Sequence, residues 1–286
     1  MAYPCIKWVG GKRQLLPELV KHLPETLPGI YLEPFIGGGA LFFHLHGVGR
    51  LTAGVHLNDS NPDLVNVYLS LRDEPETVIG HLHQLQDERR IFDATGRKAH
   101  YLEQHSRFNH SGNDAMKAAR FIYLNRFGFN GLCRYNAAGG FNVPAGKFAI
   151  EPGLDFDNLR AVSAALQGVQ ITCNDFESAI AGAVAGATVY CDPPYIPLDT
   201  TSSFTSYTDK GFDGRDQVRL RDMAVGLSHK GVTVILSNSD SPVVRELYGT
   251  GGLFELHPIQ ARRAINCDAS KRGTVGELII VARGKQ

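Results

Sequence analysis

Residues 187–198 read ATVYCDPPYIPL. Ala187 to Cys191 are apolar or β-branched and predict a short buried strand. The strand runs into a carboxylate, two prolines and an aromatic ring. Proline has no N–H for a ladder and a fixed φ, so Pro193 and Pro194 end the pairing and stiffen the turn. A carboxylate at that point stands at the C-terminal end of a strand, where open α/β sheets bind ligands. Asp192 and the turn carbonyls are rigid acceptors beside the flat ring of Tyr195. Such a set suits an exocyclic amine, whose N–H groups are accepted while its ring stacks on the tyrosine. The alternative is a proline-rich turn in which Asp192 caps local backbone.

Outward from this strand, Val- and Ile-rich runs bounded by Gly, Asn, Asp or Pro recur. They lie at 30–35, 53–57, 169–173, 232–237, 253–259 and 278–282. Helical spacing lies between several of them, as at 39–46 and 215–229. This alternation predicts an α/β protein with a mostly parallel, helix-covered sheet. A polar stretch without helical period joins the last two runs, which predicts an antiparallel pair at the sheet edge. Between the second and third runs stands a long segment where a crossover usually takes one helix. Its stretches LVNVYLSLRDEPETVIGHLHQL and DAMKAARFIYLNRF carry helical apolar spacing. The expected organisation is therefore a first sheet part at 1–61, an inserted, mainly helical lobe at 62–157, and a second sheet part at 158–286.

The 286 residues are 43% hydrophobic, enough for one large core with an inserted lobe. Lysine plus arginine equals aspartate plus glutamate, at 29 each, which argues against a nonspecific polyelectrolyte binder. The charge is uneven: ten basic residues face five acidic ones between Asp87 and Lys147. No 20-residue apolar run predicts a membrane span. The start, MAYPCIKWVGGKRQ, has no apolar signal core. A soluble, cytoplasmic protein is expected. The five cysteines are scattered singly and predict reduced, mostly buried thiols; no Cys/His spacing predicts a metal site. His81, His83, His100, His105 and His110 are expected on the surface.

The first strand ends in Glu33-Pro34-Phe35-Ile36-Gly37-Gly38-Gly39 ahead of a helix. Glycines there let the turn tighten and a ligand approach the backbone. A strict GxGxxG is absent because Phe42 stands at its third glycine, which disfavours a nicotinamide oxidoreductase. The second strand ends at Asn58-Asp59. Asp59 lies about 20 residues past the glycines, where such folds hold ribose hydroxyls. The alternative for Asp59 is a helix cap, because DSNPDL reads as a helix start.

These motifs together resemble the Dam-type DNA adenine-N6 methyltransferases, the α-ordered or D12 class, over nearly the whole chain. KWVGGKRQLL at 7–16 and EPFIGGGALF at 33–42 resemble the family's cofactor motifs. YLNRFGFNGLCRYNAAGGFNVPAGKF at 123–148 resembles its target-recognition segment. YCDPPYIPL at 190–198 and ILSNSD at 235–240 resemble its catalytic and following motifs. NRFGFNGLCRYN is more specific than DPPY, which other amino-methyltransferases share. The resemblance implies a Rossmann-like, S-adenosylmethionine-dependent methyltransferase sheet with an inserted target-recognition domain. It implies methyl transfer to adenine N6 in double-stranded DNA by base flipping and direct in-line displacement, without metal. The implied target is GATC or a close variant.

Carried onto this sequence, the resemblance assigns the cofactor to Trp8, Lys12, Phe35, Gly37, Asp59 and Asp192, with Asp175 and Phe176 flanking its adenine. Trp8 is also open to a plain core role, and Asp175 to a helix-capping one. Asp192, Pro193, Pro194 and Tyr195 form the catalytic turn. Phe129 is assigned to the gap left by the flipped base, Arg134 to a guanine, Leu132 and Pro144 to thymine, and Lys7 to the first guanine. Asn130 and Asn136 are assigned to bases or backbone and Arg126 to phosphate, while Phe127 reads as core.

The chain departs from the pattern of the GATC-specific members of the family it resembles at Pro144-Ala145-Gly146-Lys147-Phe148, where PFGRY is common after FNV. Lys147 and Phe148 replace an arginine and a tyrosine, which predicts relaxed reading of the first base. Competing readings are cytosine N4 or an RNA base as acceptor, and a DNA-binding module without catalysis. Double-stranded DNA is the expected partner. One flipped base per visit is compatible with a monomer, and no obligate protein partner is inferred.

Overall fold

The computed structural model of the chain describes residues 1–8, 10–195, 212–262 and 274–284. Ile196, Pro197 and Leu198 of the opening stretch, and Cys267, lie outside them. The described strands are β1 (Tyr31–Glu33), β2 (Val55–Asn58), β3 (Gln170–Thr172), β4 (Thr188–Cys191), β5 (Thr233–Ser239), β6 (Glu255–Arg262) and β7 (Thr274–Ala282). They form one sheet in the order β3-β2-β1-β4-β5-β7-β6. β1 runs parallel to β2 and β4, and β4 parallel to β5. β7 is antiparallel to both β5 and β6. The predicted antiparallel pair is thus present, with β7 inserted beside β5 and β6 at the edge. The strands step outward as β1, β2, β3 on one side and as β4, β5 on the other, before β7 and β6. The reversal between β1 and β4 is where a ligand crevice opens in such sheets.

The chain divides into two compact units. One comprises Lys12–Ile36, Val48–Ser60 and Asn174–Gln286. It carries β1, β2 and β4 to β7 with α1 (Leu16–Leu19), α8 (Phe176–Ile180), α9 (Gly214–His229) and α10 (Pro242–Gly249). Its core joins Leu32, Val189, Cys191, Val234, Leu236, Leu278 and Ile280 to Leu220, Ala224 and Leu227 of α9. Each large aliphatic side chain so buried stabilises by about 1.5–3 kcal/mol. α9 begins at a capping box: Asp213 accepts from the Asp216 N–H, and Asp216 from the Asp213 N–H.

The other unit comprises Met1–Gly11, Gly37–Gly47 and Asn61–Cys173. It carries α2 (Ala40–Gly47), α3 (Pro62–Asp73), α4 (Pro75–Arg90), α5 (Ala94–Asn109), α6 (Ala115–Phe127) and α7 (Phe156–Leu166). The stretch 64–85, helical by its apolar spacing, spans two helices, α3 and α4. Pro75 starts α4 because proline tolerates the first helical turn and breaks the turn before it. Tyr101, Phe108, Phe121, Tyr123, Phe127 and Phe141 pack the interior of this unit. His100, expected on the surface, is buried. Its Nδ1 lies 2.9 Å from the Tyr123 hydroxyl and its Nε2 3.2 Å from Glu88. The thiols also differ from expectation. None of the four described cysteines is in a disulfide, but only Cys191 is buried. Among the described residues no group of His, Cys, Asp and Glu could hold a metal ion, and no helix is long and apolar enough to cross a membrane.

Candidate functional site

Asp192 is the first residue past β4, whose four residues are all buried. Its Oδ1 lies 2.9 Å from Nζ of Lys12, a lysine only 5% exposed. The same Nζ sits 4.6 Å from the centroid of the Tyr195 ring, in cation–π range. Burial pushes the Asp192 carboxyl above the ordinary aspartate range; Lys12 pulls it back down, and Glu277 adds to the upward push. The turn is anchored on both sides of its ring. The Tyr195 hydroxyl donates to Oε2 of Glu277 at 2.9 Å. Nε2 of Gln217, on α9, donates to the Pro194 carbonyl at 2.9 Å, and Nδ2 of Asn238, on β5, donates to Oε1 of Gln217 at 3.1 Å. Antiparallel pairing explains how Glu277 gets there: β7 runs opposite to β5 and sets Glu277 against Ser239 at the C-terminal end of β5.

The neighbouring strand ends of this unit are tied by Asn58. Its Nδ2 donates to the carbonyls of Pro34 and Asn174, both at 3.0 Å, and its Oδ1 accepts from the Asn174 N–H. One buried amide thus fixes the exits of β1 and β2 and the start of the turn that holds Asp175. Asp59 follows at once and is half-buried. The capping role left open for Asp59 is taken by Asn61, whose Oδ1 accepts from the N–H groups of Asp63 and Leu64. Asp175 does cap a helix: it accepts from the Glu177 N–H and pairs with Arg219 at 3.0 Å. Phe35 stacks on Phe176 at 5.4 Å, and Phe212 meets both rings, at 5.5 and 5.7 Å. The result is a cluster of three aromatic rings, drawn from the exit of β1, the start of α8 and the approach to α9.

In the other unit the indole of Trp8 lies on Gly37. A Cβ on that glycine would stand 2.8 Å from Trp8 Cδ1 and Nε1, and its φ of +47° also favours glycine. The Tyr68 hydroxyl donates to the Gly37 carbonyl at 2.8 Å and fixes the loop from the other side. The DNA-directed candidates gather around the exit of α6. Phe129 is 41% exposed, whereas Phe127 is 1% exposed and belongs to the core. The chain then folds back: the Phe129 N–H donates to the Pro144 carbonyl, and the Gly146 N–H to the Phe127 carbonyl. Beyond Leu132, Arg134 and Asn142 pair across a hairpin whose tip is closed by Asn136. Arg134 Nε donates to the Asn142 carbonyl at 3.0 Å, which orients the guanidinium while the residue stays exposed. Asn130, at φ +54°, Pro144 and Lys147 are also exposed. Arg126 Nε donates to the Gly153 carbonyl. Phe148 folds its ring over Gly146 and meets Phe127 edge-on at 6.5 Å.

Lys7 is brought to this turn from far away in sequence. Asn125, 2% exposed, accepts from the Lys7 N–H at 2.7 Å and donates to the carbonyls of Lys7 and Gly131. The Lys7 side chain packs on Gly131, where no Cβ would fit. Sequence reading missed Asn58, Asn125, Gln217, Asn238 and Glu277. Glu277 had a signal, a lone acid inside the apolar run VGELII; Gln217 had none.

The family profile described as D12 class N6 adenine-specific DNA methyltransferase matches residues 8–265. The chain is 42% identical to the type II methyltransferase M1.LlaDCHI of Lactococcus lactis subsp. cremoris, over 98% of this chain and 95% of that one. It is 37% identical to a DNA adenine methylase of Vibrio cholerae, over 96% and 94% of the two chains. It is 33% identical to the DNA adenine methylase of Escherichia coli, over 96% and 93%.

Proposed function

From the premise that the chain belongs to the D12 class N6 adenine-specific DNA methyltransferases, we propose the following finer reading. The protein methylates adenine N6 in double-stranded GATC or a close variant, with S-adenosylmethionine as donor and the target base turned out of the helix. The observation that carries it is the strand-end constellation of Asp192, Lys12 and Tyr195. A base in a duplex cannot present its amine to a carboxylate at the floor of a sheet crevice, so it must leave the stack. Asp192 and the Pro193 carbonyl accept its N–H groups, Tyr195 stacks on its ring, and the nitrogen lone pair is turned away from both acceptors. The Pro194 carbonyl is engaged by Gln217, which assigns acceptance to its neighbours in the turn. After transfer the nitrogen sheds one proton toward this acceptor set. Asp192, half-buried and paired with Lys12, acts by positioning and electrostatics.

When bound, the donor supplies an activated methyl on a sulfonium, so no metal is required by the proposal. The residues of the sheet unit fit it chemically. The Phe35, Phe176 and Phe212 cluster offers a stacking surface for a purine, and Asp59 a carboxylate for vicinal hydroxyls. In the helical unit, Phe129 and Arg134 are proposed to wedge into the duplex and to read a guanine, with Lys7, Asn130, Leu132, Asn136 and Pro144 completing the reading and Arg126 meeting phosphate. Phe148 spends its ring on Phe127 and Gly146, in keeping with relaxed reading of the outer base pair.

The test is to incubate adenine-unmethylated plasmid with the protein and S-adenosylmethionine and map modified bases by single-molecule sequencing. N6-methyladenine at GATC, with looser flanks at the first position, supports the reading. N6-methyladenine confined to an unrelated motif removes the target assignment and leaves the chemistry. Asp192→Ala should lose about 10²-fold or more in turnover while still binding DNA; normal turnover would remove the catalytic assignment.

A further inference from the structure

The proposed catalytic turn is held by side chains that no motif announces, and their geometry is more specific than packing needs. Gln217 is 1% exposed and Asn238 is 1% exposed. The Asn238 amide is fixed at both ends: Oδ1 accepts from the Ser239 N–H at 2.9 Å and Nδ2 donates to Gln217. That donation orients Gln217 so that its own NH₂ faces the Pro194 carbonyl. The direction of every bond in the chain Asn238–Gln217–Pro194 is therefore set by the β5 backbone. On the other side, Glu277 accepts the Tyr195 hydroxyl. Its position is set by β7, whose register is fixed by pairing along both edges, to β5 and to β6. Two consecutive residues, Pro194 and Tyr195, are thus gripped from β5 through α9 and from β7.

We infer that Gln217, backed by Asn238, and Glu277 are positioning residues for methyl transfer: they clamp the Pro194–Tyr195 turn so that the acceptor groups and the Tyr195 plane are preset before the base arrives. The inference rests on the active-site reading above. The physical reason is the steep dependence of such chemistry on geometry, where a displacement of about 1 Å costs about 10²-fold in rate. Two prolines fix φ but leave ψ of Pro194 soft, so the turn can still rock as a unit. A hydrogen bond to the Pro194 carbonyl removes that freedom. A buried amide pair also carries a stability cost unless fully satisfied, and an apolar pair would fill the same space without it.

The test compares single-turnover methyl transfer, KM for DNA and melting temperature in the full-length protein. Gln217→Met keeps volume and removes the donor. Tyr195→Phe keeps the ring and removes the hydroxyl at the other anchor. Both should lower the transfer rate about tenfold or more with KM within about twofold. Adding Asn238→Ala to Gln217→Met should cost little more, because the two act through one bond. Glu277→Gln, which retains an acceptor, should keep most of the rate that Glu277→Ala loses. Full rate in Gln217→Met or in Tyr195→Phe overturns the clamp, as does a loss of rate that merely tracks a drop in melting temperature. Asp192→Ala is run alongside. If it too keeps turnover, the active-site reading has failed; if it alone is inactive, only the clamp has.

Discussion

Asp192 carries opposing demands. In the proposed reaction it must be ionised to accept an amine, yet burial disfavours its charge. Lys12 relieves part of that cost and Glu277 adds to it. The sign of the pH dependence follows. Activity should rise as Asp192 loses its proton, so the acid limb of kcat/KM should lie above the ordinary aspartate value of about 3.9. Lys12→Met should move that limb to higher pH, because the opposing cation is gone. Glu277→Gln should move it to lower pH. A limb that ignores both substitutions would detach it from Asp192. At the position proposed to read a guanine, Arg134→Ala should cost about 1–3 kcal/mol of discrimination at one outer base pair, read from methylation rates on single-substituted duplexes. Equal loss on every sequence would make Arg134 a phosphate contact. Asp59 and Asp175 illustrate how far single residues were legible. Both stood at strand exits ahead of helices, and both were open to capping. The chain put Asn61 on the first helix and Asp175 on the second. Spacing alone cannot separate these outcomes, because any short acceptor can cap.

At the scale of elements, the glycine loop and the chain's one tryptophan are a single device. Gly37 needs its positive φ and also the space that Trp8 fills. Gly37→Ala should cost about 1–2 kcal/mol of stability from the left-handed backbone alone, and should shift the intrinsic emission to longer wavelength as the indole is displaced. Unchanged emission would show that the ring does not rest there in solution. The turn proposed for recognition obeys a similar logic. The family resemblance assigned Phe129, Arg134 and Pro144 to one group, but it could not say that Pro144 accepts from Phe129 or that Lys7 arrives through Asn125. Those contacts join residues far apart in sequence, and pattern is blind to them. His100 was misread for the same reason: a histidine in a polar helix looks exposed until Tyr123 and Glu88 close around it.

For the molecule as a whole, a net charge near zero means that DNA affinity must come from local cations. Each phosphate contact should contribute about 0.9 to the slope of log K against log salt. Arg126→Ala should therefore flatten the slope by about one unit and weaken binding on all sequences alike, measured by fluorescence anisotropy across a salt series. A sequence-dependent change with an unaltered slope would place Arg126 on a base instead.

What the sequence determined by itself was the alternation of short strands and helices, the helical stretch interrupting it, the glycine loop, and the strand that ends on Asp192-Pro193-Pro194-Tyr195. These depend on local propensity, periodicity and the absence of a proline N–H, all properties of neighbours along the chain. Tertiary structure alone decided that β7 enters beside β5, and with it that Glu277 meets Tyr195. It alone placed Gln217 on the Pro194 carbonyl, Asn58 across the strand exits and Lys12 on Asp192. Each of these is a contact between distant segments, fixed by strand register and helix packing, and no local preference encodes it.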